Sequence, residues 1–305
     1  MMRIYTFKRW FTTIALLSYL ILRIYTEPTW WSEVVIYNLI VLSAIFSILS
    51  SPIPENLKGK VSMSLALGSW TIGSVLSGID SFFGIELSNI SEVPYALFYP
   101  LAIFGAISSL SKQGKSARLE VIDTLVIAFS GTTLLATFFL KSAQNEFLGT
   151  QLQIFLTIIY PIANLILLMT VLVFIGLQRL HKRNLLFLFG ITIFVVSDFY
   201  YLYLSQWGTY IYGTWSDAGW LLGFVVIAHS YWFVSEEEER ERSHSPYLVT
   251  LALLLSLLVV AISVLLPNYF PRFVLIPAFA TIALAFLRMV VAMSDTRKIG
   301  DERAR

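Results

Sequence analysis

The sequence contains no cysteine, which excludes disulfides, thiolate metal centres and cysteine nucleophiles. Charge is scarce as well. Asp, Glu, Lys and Arg make up 13% of the 305 residues, against about 25% in soluble domains. There are three histidines, and only His229 falls inside an apolar run, so a bis-histidine haem lacks its second ligand. No His/Glu pair at i, i+3 or i+4 within a span offers a zinc or di-iron site. No lysine sits mid-span to form a retinal Schiff base, and P-loop and Ser/His/Asp hydrolase signatures are missing. The net charge of +2 is too small to call for a polyanionic partner, so no nucleic acid is expected.

Apolar length is what the chain has in abundance. Hydrophobic residues reach 57% and the mean hydropathy is +0.75. A soluble fold of this size would lack the charged residues to cover its surface, whereas lipid solvates most of a polytopic membrane protein. At about 20 residues per crossing, ten crossings use roughly 200 positions. The remaining loops and tails leave no room for a separate soluble domain of about 50 residues or more. A cytosolic enzyme and an appended catalytic module are thereby excluded, and neither a cofactor nor an enzymatic activity is expected.

Apolar runs fall at residues 10–25, 34–50, 61–82, 94–110, 122–140, 152–177, 185–204, 216–234, 247–266 and 273–293. The first follows basic residues as a signal peptide would, but no small-residue cleavage site follows, so it reads as an uncleaved span. Lys and Arg then set the orientation. With the N-terminus inside, seventeen fall on the inner side, and only Arg23, Lys141 and Arg272 fall on the outer; Arg288 lies within the last span. The expected fold is therefore an all-α membrane protein of about ten transmembrane helices with both termini cytoplasmic. Trp30, Trp31, Trp207, Trp215 and Trp220 gather at the outer face, either as an interfacial belt or as part of a binding surface.

Short matches recur at nearly constant offset. Asn38-Leu39-Ile40 matches Asn164-Leu165-Ile166, Ser91-Glu92 matches Ser216-Asp217, and Gly73-Ser74 lies opposite Ser197-Asp198, at offsets of 126, 125 and 124 residues. A step of four helices keeps both copies in the same orientation, unlike the inverted repeats of many transporters. The expected organisation is two parallel four-helix repeats, 1–110 and 111–234, then two additional spans over 235–293 and a cytoplasmic helical tail over 294–305. The tail follows because the stretch from Arg288 onward meets neither Pro nor Gly before Gly300.

Several segments resemble a family. These are Ser91-Glu92-Val93-Pro94-Tyr95-Ala96-Leu97-Phe98-Tyr99-Pro100, Asp123-Thr124-Leu125-Val126, Tyr160-Pro161-Ile162-Ala163-Asn164, Ser197-Asp198-Phe199-Tyr200-Tyr201, and Gly213-Thr214-Trp215-Ser216-Asp217-Ala218-Gly219-Trp220. Over roughly residues 35–235 the chain is similar to the multi-span N-terminal sensory regions of bacterial diguanylate cyclases (GGDEF/EAL proteins) and sensor histidine kinases. The resemblance implies a sensory input in the bacterial inner membrane, coupled to a cytoplasmic output domain. The chain departs from that pattern in stopping at Arg305 without one.

Polar residues within apolar runs are costly and mark either function or a buried partner. Asp198 lies in the seventh run with Tyr201 on nearly the same face. It reads as an acid hydrogen-bonded across the bundle or as a ligand anchor. Asn164, beside Pro161, ties helices together or lines a cavity. Glu92 and Asp217, equivalent in the repeat, cap helices electrostatically or join Asp198, Trp215, Trp220 and Tyr201 around a ligand. The run Glu236–Glu239 is a solvated charge run or an output surface. The sequence reading is thus a sensory module that binds a small or lipid-soluble ligand near the outer leaflet and relays a conformational signal inward. Its partners would be the bilayer, a cytoplasmic signalling domain in cis or trans, and a second copy in a homodimer; the alternative is a small-molecule membrane transporter.

Overall fold

The computed structural model describes residues 2–52, 57–110, 117–139, 151–177, 181–206, 208–233, 246–266 and 272–303. Among them there is no strand, and ten α-helices follow one another: α1 (Met2–Tyr25), α2 (Tyr37–Ser50), α3 (Leu57–Phe83), α4 (Ser88–Leu110), α5 (Ala117–Phe139), α6 (Gln151–Leu177), α7 (Lys182–Gln206), α8 (Asp217–Ser230), α9 (Pro246–Leu265) and α10 (Leu275–Arg303). Within the described residues, each apolar run falls for the most part on one of them. Seven helical stretches are long and apolar enough to cross a membrane: Trp31–Ser50, Ser88–Leu110, Arg118–Phe138, Ile158–Gly176, Lys182–Ser205, Tyr247–Leu265 and Arg272–Ser294. The other three helices are α1, α3 and the short apolar α8, which has 14 residues. This is a multi-pass membrane protein by composition and length. Serines and threonines inside the helices bond back to their own turns, as with Thr71 to Leu67, Thr192 to Leu188 and Ser197 to Ile193, each at 2.8 Å. No hydroxyl of these three faces lipid unsatisfied.

The chain divides into two compact units, residues 1–109 with 179–238, and residues 110–178 with 239–305. Compactness thus sorts the helices otherwise than the repeat pattern does: α7 and α8 group with α1–α4, and α5 and α6 with α9 and α10.

In the first unit, α3 packs on α4 through a seam of small residues, Gly59, Ser62, Ser69 and Gly73. Ser62 and Ser69 donate to the Leu101 and Pro94 carbonyls at 2.8 and 2.6 Å, and a Cβ on Gly73 would lie 2.9 Å from the Tyr95 ring. Such seams replace the hydrophobic drive that lipid cannot supply. They also explain why α3 is less apolar than its neighbours. α7 crosses α8 at Gly190 and Gly223, where a Cβ on Gly190 would meet the Gly223 carbonyl and the Ile227 amide at 2.9 Å. Backbone cannot yield as a side chain can. Gly190→Ala is therefore expected to destabilise the purified protein by about 1–3 kcal/mol, read as a lower thermal midpoint. Gly176→Ala, where a Cβ meets nothing within 4 Å, should leave that midpoint unchanged.

The second unit is built around α5, which packs against α6, α9 and α10. Ser130 donates to the Ala252 carbonyl at 2.8 Å, beside a core of Val126, Val249 and Ala252. Arg288 on α10 grips Asp123 on α5, Nε to Oδ1 at 2.5 Å and Nη2 to Oδ2 at 3.5 Å. α10 runs unbroken to Arg303 and passes through Gly300.

Candidate functional site

The first unit concentrates its buried polar side chains where α1 and α7 end and α2 and α8 begin. The chain enters α2 through a π-helical segment, Trp31–Ile36, a widened turn of the kind found at functional sites. It turns Glu33 inward to 2% exposure. The Glu33 carboxylate pairs with Arg23 Nε at 3.0 Å and accepts from Tyr19 Oη and Ser32 Oγ, each at 2.8 Å. Arg23 also donates to the Thr26 carbonyl at 3.1 Å and to the Gly213 carbonyl.

Gly213 joins this ion pair to a second acid. Its carbonyl takes Arg23, and its amide donates to Asp217 Oδ2 at 2.8 Å. Its φ of +83° is a left-handed conformation that favours glycine, and a Cβ there would lie 2.9 Å from Glu33 Cγ. Asp217 accepts further from Tyr210 Oη and Ser216 Oγ, both at 3.1 Å. Burial first, and the Asp217 charge next, push the Tyr210 phenol well above its ordinary pKa, so it stays a donor. Burial likewise raises Tyr212, which donates to the Ser74 carbonyl at 3.1 Å. Asp217 opens α8, yet its carboxylate accepts from the preceding Gly213 amide and from two hydroxyls, and Ser216 makes no side-chain cap. Its carboxylate therefore anchors the connecting loop.

Beneath these charges lies an aromatic cluster. Trp70 on α3 contacts Tyr95, Phe98, Phe194, Trp220 and Phe224, with ring centroids 4.8, 5.4, 5.2, 5.3 and 5.5 Å away. Tyr201 connects the two layers, 5.5 Å from Trp220 and 4.7 Å from Tyr210. Asp198, 6% exposed, accepts from Tyr99 Oη on α4 at 3.1 Å. That is the cross-bundle hydrogen bond which the sequence reading held open. Within the cluster, the indole nitrogens of Trp70 and Trp220 are buried and have no hydrogen-bond partner among the described residues. The two side chains are only 5% and 8% exposed. An unmet buried donor costs about 1–3 kcal/mol.

Of the residues singled out in the sequence, Asp198, Asp217, Tyr201 and Trp220 come together here. Glu92 is half-buried in the second turn of α4, on the same face as Tyr95 at i+3. Trp215 stands 55% exposed and contributes no ring contact. Trp207 and the Glu236–Glu239 run lie outside the described residues. Asn164 is fully buried on α6 and belongs to the second unit. His229 is not a free ligand donor, because Arg9 Nη2 approaches its Nε2 at 3.3 Å and the Trp10 ring lies 4.9 Å away. The residues that pattern reading missed are Arg23, Glu33, Tyr19, Gly213 and Trp70. The available signal was opposite charge at the facing ends of the first two apolar runs, joined by a connection of eight residues.

No family model, curated protein or solved structure matches the chain.

Proposed function

We propose that this is the sensory input module of a membrane signalling protein, and that its first unit binds a lipid-soluble molecule carrying a hydrogen-bond acceptor. One observation carries the reading: the indole N–H groups of the neighbouring Trp70 and Trp220, buried among aromatic rings and without partners among the described residues. Flat apolar surface together with two free donors suits a ligand with one or two carbonyl oxygens on a ring. Tyr201, Asp198 and Asp217 position this cluster, and Glu92 flanks it. Ten crossings with both ends cytoplasmic, in a bacterial inner membrane, is the topology favoured by the sorting of basic residues. Binding would shift a helix-packing equilibrium, for which a preference of a few kcal/mol is enough. The unbroken α10 would carry the change to a cytoplasmic output domain.

The test is thermal unfolding in lipid nanodiscs with decyl-benzoquinone, with the matching decyl-dimethoxybenzene and with decane. The expected result is a saturable rise in midpoint with the quinone alone. It should weaken about tenfold or more in Trp70→Phe and Trp220→Phe, as for a lost hydrogen bond to a buried donor. Equal shifts from all three compounds, or no shift from any, overturn the ligand reading. Saturable uptake of a polar solute into proteoliposomes would make the protein a transporter instead.

A further inference from the structure

The opposite end of the first unit, where α3 and α7 begin and α2 and α4 end, holds two buried cations. Lys60 is 5% exposed and Arg183 is 7% exposed. Neither pairs with a carboxylate among the described residues. Lys60 Nζ donates to the Ser51 carbonyl at 2.7 Å, and Arg183 Nη2 donates to the Ser109 carbonyl at 3.0 Å. Both cations belong to the same junction of helix ends. A Cβ on Gly59 would lie 2.9 Å from the Ser109 amide, and the Arg183 guanidinium stands 5.9 Å over the ring of Tyr231. Tyr231 in turn shares a 2.7 Å hydrogen bond with Ser109 Oγ. Lys60 lies just outside the apolar stretch 61–82, and its ammonium pKa is depressed by burial first and then by the Arg183 charge.

Helix ends account for part of this. Ser51 and Ser109 sit at the C-terminal ends of α2 and α4, and each such end carries the equivalent of about half a negative charge. Two full cations against about one unit of dipole leave positive charge that no carboxylate among the described residues compensates, which is costly in a buried place. Among the described residues each cation makes one hydrogen bond, to a carbonyl, whereas a guanidinium has five N–H donors and an ammonium three. Both side chains sit beside the first turns of their helices, at the depth where the apolar stretches meet polar surroundings.

The geometry points to a binding site for a phosphate-bearing anion between Lys60 and Arg183, filled by the headgroup of an anionic phospholipid or by free phosphate. The phosphate oxygens would take the unspent donors and restore neutrality. The planar guanidinium suits two oxygens at once, while the ammonium acts as a compact point charge.

The experiment places the full chain in vesicles or nanodiscs of phosphatidylcholine alone, and of phosphatidylcholine with phosphatidylglycerol, with or without inorganic phosphate. The readout is the thermal midpoint and the retention of a fluorescent phosphatidylglycerol. The wild type is expected to be more stable in the anionic bilayer and to retain the labelled lipid. Lys60→Gln and Arg183→Gln should each weaken retention about tenfold, as for one lost charge-assisted hydrogen bond, while Lys60→Arg keeps it. In phosphatidylcholine alone, Lys60→Gln should match the wild type, whereas a purely helix-capping role would lower its midpoint there too. Stabilisation of the wild type by millimolar phosphate in the neutral bilayer, with loss of lipid retention, would make free phosphate the occupant. Equal wild-type midpoints in both bilayers with no response to phosphate overturn the site, even if a variant fails to fold. So does unchanged retention in Lys60→Gln and Arg183→Gln.

Discussion

Glu33→Ala is expected to cost the protein about 3–5 kcal/mol, the penalty for breaking a buried ion pair by removing one partner. Arg23 and Glu33 are both almost wholly enclosed, with side chains 6% and 2% exposed, so water cannot step in for the lost carboxylate. Three donors lose their acceptor together: Arg23 Nε, Tyr19 Oη and Ser32 Oγ. Glu33→Gln, which keeps the shape and one carbonyl oxygen, should cost less. Arg23→Met with Glu33→Leu removes both charges and should recover most of the stability, because well-packed apolar residues often match a buried pair. The expected signature is local as well as global. Arg23 holds the Gly213 carbonyl and Asp217 holds the Gly213 amide, so hydrogen exchange should accelerate over residues 208–216 in Glu33→Ala. Full exchange protection of that loop in a destabilised Glu33→Ala would show that the ion pair does not anchor it.

The same network shows why part of the site was legible in the sequence and part was not. Asp198 and Asp217 stand out because acids beside or within apolar runs are rare. Tyr201 and Trp220 follow from them by helical spacing and by the repeat. Arg23 and Glu33 carry no such contrast. Each sits at the end of a span, where charge is ordinary, and only the widened turn at Trp31–Ile36 brings them together. A π-helical turn leaves no period in sequence. Gly213 likewise looks like any loop glycine until its φ and its two hydrogen bonds are seen. Trp215 misleads for the opposite reason. It belongs to the outer aromatic set in sequence, yet it stands 55% exposed, while Trp220, five residues on, is buried in the cluster.

Helix positions were legible because a run of about 20 apolar residues needs no partner to be recognised. Helix partners were not. The α3–α4 seam and the Gly190–Gly223 crossing depend on which small residues share a face, and glycines and serines scatter along every span. That α7 and α8 pack with α1–α4 is decided by such close approaches, which hydropathy does not encode. Arg288 shows the same limit. It reads as a lone basic residue in the last span, and its partner Asp123 lies 165 positions upstream.

Asp123→Leu is expected to be the most damaging single substitution in the second unit. The two-point contact between Arg288 and Asp123 joins α10 to α5, the helix on which α6 and α9 also pack. The Asp123 side chain is 4% exposed and that of Arg288 is 30% exposed, and neither has another ion-pair partner among the described residues. Removing one partner of a buried pair costs about 3–5 kcal/mol, and Arg288→Leu falls toward the lower bound. An orphaned carboxylic acid can hold its proton and become neutral, whereas an orphaned guanidinium stays charged. The double variant Asp123→Leu with Arg288→Leu should be nearly as stable as the wild type, since leucines extend the apolar contact of Val126, Ile122 and Leu284. A double-mutant cycle on unfolding in detergent would then give a large coupling energy, because each single change leaves a charge that the second removes. Additive effects of the two substitutions would mean that the helices are held by packing alone and that the ion pair is incidental to it.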